Sequence, residues 1–164
     1  MKLYTIKNKK EEKLLRTALK PFDFSAYSKK EIKELVREMR HLMKISNGVG
    51  LAGNQAGLNA QVFVAQSEGK FYAIFNPVIT KTYGKPVEME EGCLSVPNTY
   101  GATKRYKKIL LTGADQNGKP IKIKAWDLLA HIFQHETDHL NGILYIDHAL
   151  RLYNSLEDPK QLNS

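Results

Sequence analysis

Residues 134–140 read Gln134-His135-Glu136-Thr137-Asp138-His139-Leu140, and the spacing inside that stretch decides what the chain is built around. Two histidines at i and i+4 project from one face of a helix, one turn apart, so their imidazoles can meet a single cation. Glu136 sits beside them, where it can take a proton from an activated water and pass it to a leaving group. Incidental histidines on a surface helix are the plain alternative, but H-E-x-x-H is uncommon by chance in so short a chain. The helix is expected from about Asp127 to Leu140, with Leu128, Leu129, Ile132 and Phe133 on its apolar face and Asn141-Gly142 closing it.

Two protein ligands do not complete a usual site, so a third is needed. Gly142 falls where a metzincin-type extension has its glycine, but Tyr145 stands where the third histidine would follow. His148 comes three residues too late for that pattern, and Asp147 is more distant from the helix. His131 lies one turn before His135, yet three consecutive turns of a straight helix converge poorly on one ion. That leaves Cys93, in Glu91-Gly92-Cys93-Leu94-Ser95, whose thiolate is a strong ligand for a borderline or soft metal. It is the only cysteine, so no intrachain disulfide exists, and a lone cysteine is more often a small buried hydrophobe.

Outward from the site, the pattern is mixed. Ser28-Lys29-Lys30-Glu31 reads as a capping box, followed by Ile32, Leu35, Val36, Met39, Leu42 and Met43 at helical spacing. This predicts an amphipathic helix over 29–46, ended by Asn47-Gly48. Strands are expected at 62–64 and 71–75 around a turn at 67–70, and again at 78–83. A further hairpin is expected from 107–114 and 120–125, joined by Gln116-Asn117-Gly118-Lys119. The 164 residues, 42% of them hydrophobic, suit one domain over 1–150, with a short polar tail at 151–164 that frays around Asp158-Pro159.

The net charge of +8 is uneven: residues 1–40 hold twelve basic side chains against six acids, and residues 101–124 hold seven against Asp115 alone. Such surfaces either favour a polyanionic partner or merely solubilise helix and hairpin faces. No apolar run is long enough to cross a bilayer, and the first residues lack a signal-peptide core. A soluble cytoplasmic protein is expected, with neither DNA nor membrane as a partner.

Three segments together resemble the peptide deformylases. Gly48-Val49-Gly50-Leu51-Ala52-Gly53-Asn54-Gln55 is similar to the family's G-x-G-L-A-A-x-Q, residues 91–95 match E-G-C-L-S, and residues 134–140 match Q-H-E-x-D-H-L. The likeness runs in order from about Leu3 to Asp147. It implies an α+β fold, with small antiparallel sheets packed around a central metal-binding helix. It implies hydrolysis of the N-terminal formyl group of formyl-methionyl nascent peptides, with release of formate. Cys93, His135 and His139 would hold one divalent metal, iron(II) in the cell, although such a donor set also suits zinc, nickel or cobalt. Glu136 would carry the proton, while the Gln55 side chain and the Leu94 backbone N–H would stabilise the oxyanion.

The resemblance also implies that backbone groups near Gly50 pair with an extended peptide. Helical geometry sets Leu128 and Ile132 on the turns just before His135, where they would wall a methionine slot with Val49; ordinary core is the alternative for both, and the resemblance favours the pocket for Leu128. Arg105 would pair with Asp138 behind the metal. Two positions depart from the pattern. Gly53 replaces an alanine, which is expected to loosen a close-packed turn, and Tyr100 stands where some members have a substrate-binding arginine. The basic surfaces could contact the ribosome. Rival readings are another H-E-x-x-H metallopeptidase, or a weakly active ribosome-associated homologue.

Overall fold

In a computed structural model that describes residues 1–154, both expected helices are present, and the first begins at its capping box. The Ser28 hydroxyl accepts from the Glu31 backbone N–H at 3.2 Å, and the Glu31 carboxylate accepts from the Ser28 N–H at 2.7 Å. From this cap runs α2, Lys29–Ile45, which a left-handed Asn47 then turns away. A short α1, Lys9–Leu15, precedes it, capped by Asn8; the sequence had not pointed to this helix. The site helix, α3, spans Asp127–Leu140. Gly142 closes it at φ 72°, and a side chain there would press on the Arg16 backbone at 2.7 Å, so glycine is required twice over.

Five antiparallel strands form the larger sheet: β1 (Gly50–Ala52), β2 (Val62–Ser67), β3 (Lys70–Tyr83), β6 (Lys108–Ala114) and β7 (Pro120–Trp126), in the order β1-β2-β3-β6-β7. The turn between β2 and β3 is two residues, Glu68 and Gly69, both at positive φ, as a tight hairpin demands. The separately expected strands at 71–75 and 78–83 are one strand, β3, broken by a bulge between Phe75 and Val78. One face of this sheet packs Phe63, Ile74, Ile109, Leu111 and Ala125 against Ala130 and Phe133 of α3. The other face packs Leu51, Val62, Val64 and Phe75 against Val36, Met39 and Met43 of α2. Small antiparallel sheets around a central helix are thus the observed α+β architecture.

The smaller sheet was not anticipated. It comprises β4 (Val87–Cys93), β5 (Val96–Arg105) and β8 (Arg151–Asn154), ordered β4-β5-β8. Its first strand looks too acidic for a sheet, but the period is two: Val87, Met89 and Glu91 turn inward while Glu88 and Glu90 stay exposed. The first residues of the expected polar tail form β8. Residues 151–154 pair with β5 through main-chain bonds, which need no apolar run, and Leu152 covers Gly101. Asp158-Pro159 and the rest of 155–164 lie outside the described residues. Among the described residues no helix is long and apolar enough to cross a membrane.

At Gly53 the expectation of a looser turn is reversed. The backbone there is right-handed helical, so glycine is not needed for its torsions, but an added Cβ would lie 2.5 Å from the Ala60 carbonyl oxygen. Glycine lets two backbones approach more closely. Gly53→Ala should therefore destabilise the fold by about 1–3 kcal/mol, the usual range for overpacking, read as a lower urea midpoint at unchanged slope. A midpoint equal to wild type would show that the 58–62 loop yields freely.

Candidate active site

The site is made where α3 passes the hairpin between β4 and β5. His135 and His139 stand one turn apart with ring centroids 4.8 Å apart and planes at 71°. The register of β4 on β5 slips between Gly92 and Cys93, and that irregularity brings the sulfur against the helix. Cys93 Sγ lies 3.2 Å from His139 Nε2, which lies 3.1 Å from His135 Nε2; all three ligand atoms fall within 4.8 Å of one another. The sequence-derived triad is therefore brought together. The other ligands considered are engaged elsewhere: Asp147 pairs with Arg16 at 2.8 Å, His148 faces Asp138 at 3.5 Å, and His131 faces Glu91 at 3.2 Å.

The donor set fits a divalent cation. Burial, with the neighbouring His135 next, holds the His139 imidazole well below its ordinary pKa, which is the neutral, ligating form. His139 Nδ1 and Glu136 Oε2 are buried with no hydrogen-bond partner among the described residues. An orphaned buried atom of this kind costs about 1–3 kcal/mol, and the Glu136 carboxylate lines the same cavity as Cys93 and His135. Desolvation pushes the Cys93 thiol up to about 12 against the opposing Ser95 N–H. A thiol of that kind binds a metal by giving up its proton.

Behind the triad lies Glu91, which the sequence presented only as part of a motif. Its carboxylate accepts from His135 Nδ1 at 2.5 Å, from Arg105 at 2.6 and 3.0 Å, and from the Thr103 hydroxyl. Burial alone would raise its pKa, but His131, His135 and Arg105 outweigh that and hold it well below the usual carboxylate range. An ionised Glu91 places the proton of His135 on Nδ1 and leaves the Nε2 lone pair for the cluster. Arg105 reaches on to Asp138 at 2.6 Å, the pairing expected from sequence.

Gln55 sits in a 3₁₀ turn after β1. Its Oε1 accepts from the Ala52 N–H at 2.8 Å, and its Nε2 donates to Ser95 Oγ at 3.1 Å and points at Cys93 Sγ, 3.5 Å away. Ser95, passed over in the sequence, thus fixes the amide, and its own hydroxyl donates to the Tyr4 carbonyl at 2.7 Å. Gly50 backs directly onto Glu136: a Cβ there would lie 2.1 Å from the carboxylate oxygen. Burial, then the charge of Glu91, raises the Glu136 pKa well above its ordinary value.

A cavity of about 370 Å³ opens over these groups, lined among others by Val49, Gly50, Gln55, Leu94, Leu128 and Ile132. Leu128 is 55% exposed at its mouth, so ordinary core does not describe it, whereas Ile132 is buried and belongs to both cavity and core. Tyr100 lines the same cavity, its ring stacked 6.2 Å from Tyr153.

A family model described as polypeptide deformylase matches residues 3–155. The chain belongs to the polypeptide deformylase family. The deformylase of Halothermothrix orenii is 41% identical over 141 residues, 85% of this chain and 89% of that one. Among solved structures, a peptide deformylase from Synechococcus elongatus in complex with actinonin superposes with a TM-score of 0.82 at 33% identity, covering 96% of this chain and 81% of that one. A Met-Ala-Ser-bound class I type b deformylase from Acinetobacter baumannii gives 0.83 at 25% identity, covering 90% and 97%. Deformylases are metal-dependent hydrolases of formyl-methionyl peptides, and this chain is an enzyme of that family with a Cys/His/His cluster able to hold the divalent metal. None of these matches supports the metallopeptidase or binding-homologue readings.

Glu91→Gln tests the carboxylate behind the cluster. It keeps the shape but leaves His131, His135 and Arg105 short of an acceptor. Divalent-metal affinity, measured by competition with a chromogenic chelator, should fall about 10–100-fold, as for other groups that orient a ligating histidine. An unchanged affinity would show that His135 is oriented without it.

Proposed function

We propose that this chain removes the formyl group from formyl-methionyl nascent peptides in the cytoplasm, using iron(II) held by Cys93, His135 and His139. What carries the reading is the convergence of those three ligand atoms beside a buried carboxylate, Glu136, one of whose oxygens has no partner among the described residues. The bound ion would supply Lewis-acid activation of a water and polarise the formyl oxygen. A thiolate with two imidazoles would also accept zinc, nickel or cobalt in a preparation.

The residues of the chain do the rest. Glu136 takes a proton from the attacking water as the new C–O bond forms. It then delivers that proton to the amine as the C–N bond breaks, and formate leaves. Its raised pKa, caused by burial, suits a group that must hold the proton between those events. The amide N–H of Gln55 and the backbone N–H of Leu94 would stabilise the oxyanion, with Gln55 already anchored by Ala52 and Ser95.

The substrate backbone would run along β1. That strand pairs with β2 and forms one edge of the five-stranded sheet, so an extended peptide can add beside Val49 and Gly50. The methionine side chain would enter between Leu128 and Val49 over Ile132, all three in the cavity wall. Tyr100, at the rim, offers a ring in place of an arginine, so the backbone contact an arginine would make is exchanged for stacking or packing. We read residues 1–150 as the catalytic domain. Because nascent chains are the substrate, contact with the ribosome through the basic surfaces belongs to the same reading.

The direct test is anaerobic formate release from formyl-Met-Ala-Ser by the iron(II)-loaded protein, with no hydrolysis counting against the reading. In Glu136→Gln the rate should drop by about 10²–10³ or more, the scale of general acid–base catalysis, while bound metal stays near wild type. Near-normal turnover in that variant would mean that another base operates. With iron bound, air should inactivate the enzyme by oxidising the ion or the Cys93 thiolate, and nickel substitution should protect it. Equal decay under air and argon would argue against iron(II) as the working ion.

A further inference from the structure

Past the reach of α2, the outward faces of β3, β6 and β7 meet solvent. Cross-strand register sets Tyr83, Lys108 and Trp126 in one row. The next row holds Lys81 and Lys124 on either side of Leu110, and Lys122 follows one pair further along. Residues directly opposite share a face, and the other face of these strands is the apolar one that carries Ile109, Leu111 and Ala125 against α3.

Three ammonium groups crowd one aromatic ring. The Nζ atoms of Lys81, Lys108 and Lys124 lie 5.0, 4.8 and 5.8 Å from the Tyr83 ring centre, and Lys108 Nζ is also 5.6 Å from the Trp126 ring. Among the described residues, none of the ion pairs involves these lysines or Lys122. Like charges held together without a carboxylate repel one another, and the ring quadrupole offsets only part of that. A face that merely solubilised the sheet would have no use for an indole, yet Trp126 is 51% exposed. Clustered positive charge interleaved with exposed rings on a sheet is complementary to a polyanion that also carries flat faces.

We propose that this face docks single-stranded RNA, with the lysines on phosphates and Trp126 and Tyr83 against bases. The proposal goes beyond the active site and narrows the ribosomal contact proposed above to one surface. The basic segment at 101–124 is divided by the fold, and only part of it lies here.

The chain has a single tryptophan, so Trp126 reports on its own face. The metal-loaded enzyme is titrated with an oligouridylate of about twenty nucleotides, and with polyphosphate of matched charge. Base stacking should quench Trp126 with the RNA and not with polyphosphate. Affinity should weaken steeply from about 50 to 200 mM salt as counterions are released. Reversing charge in Lys81→Glu/Lys124→Glu should weaken binding by about tenfold or more, whereas Lys30→Glu/Lys33→Glu on α2 should stay within about twofold. Both double variants should still hydrolyse formyl-Met-Ala-Ser, which shows that they fold. Unmoved Trp126 emission, equal competition by polyphosphate, or equal loss in the two double variants would overturn the proposal. The titration contains no ribosome and needs no turnover, so this face can fail while ribosome contact elsewhere, and deformylation, stand.

Discussion

The carboxylate of Glu91 is buried between the smaller sheet and α3, accepting from Thr103 and Arg105 on β5 and from His135 on the helix. Taking such a charge out of water costs several kcal/mol, and only a full set of donors offsets it. An ionised carboxylate accepts and cannot donate, so every neighbour must turn an N–H or O–H toward it. That requirement sets the orientation of His135. Arg105 then continues to Asp138, so the three-stranded sheet holds α3 at His131, His135 and Asp138. This clamp, together with the bonds of Ser95 to Gln55 and Tyr4, holds the hairpin that presents Cys93 against the histidines.

Around that clamp the molecule tolerates features that ordinary cores avoid. Glu136 is buried against the bare backbone of Gly50, and both Glu136 and His139 keep a buried polar atom without a partner among the described residues. Each lowers the stability of the protein by itself. A ligand that binds only the folded arrangement returns stability in proportion to its concentration over its dissociation constant. Gly50 belongs to this arrangement although it carries no functional group, because only a residue without a Cβ leaves room for the Glu136 carboxylate.

Much of this was legible in the sequence, for physical reasons that can be named. The helical period of residues 127–140 and the capping box at Ser28 are local, so both helices could be read within a residue or so. Cys93 was reachable because few side chains can complete a site with two imidazoles. Glu91 as the hub was not, because its partners lie 12, 14 and 44 residues away and nothing local marks a buried acid. The strands β4, β5 and β8 were missed because main-chain pairing can carry polar residues. Gly53 was misread because its constraint is a carbonyl seven residues on, which no local pattern encodes.

The larger sheet connects what these sites do. Its β1 edge borders the cavity, and its β7 edge ends in Trp126, from which the chain turns at a left-handed Asp127 straight into α3. The helix then crosses back over the sheet toward β1, carrying Leu128 and Ile132 at its start and the histidines further along. The exposed indole is therefore two residues from a residue of the cavity mouth. The lysine face lies on the side of the sheet opposite to the one that packs on α3, while α3 carries Leu128 in the cavity wall, so the two surfaces use different side chains. Substrate capture and docking are thus separate in their side chains, and they meet only through the sheet, whose other face packs on α3.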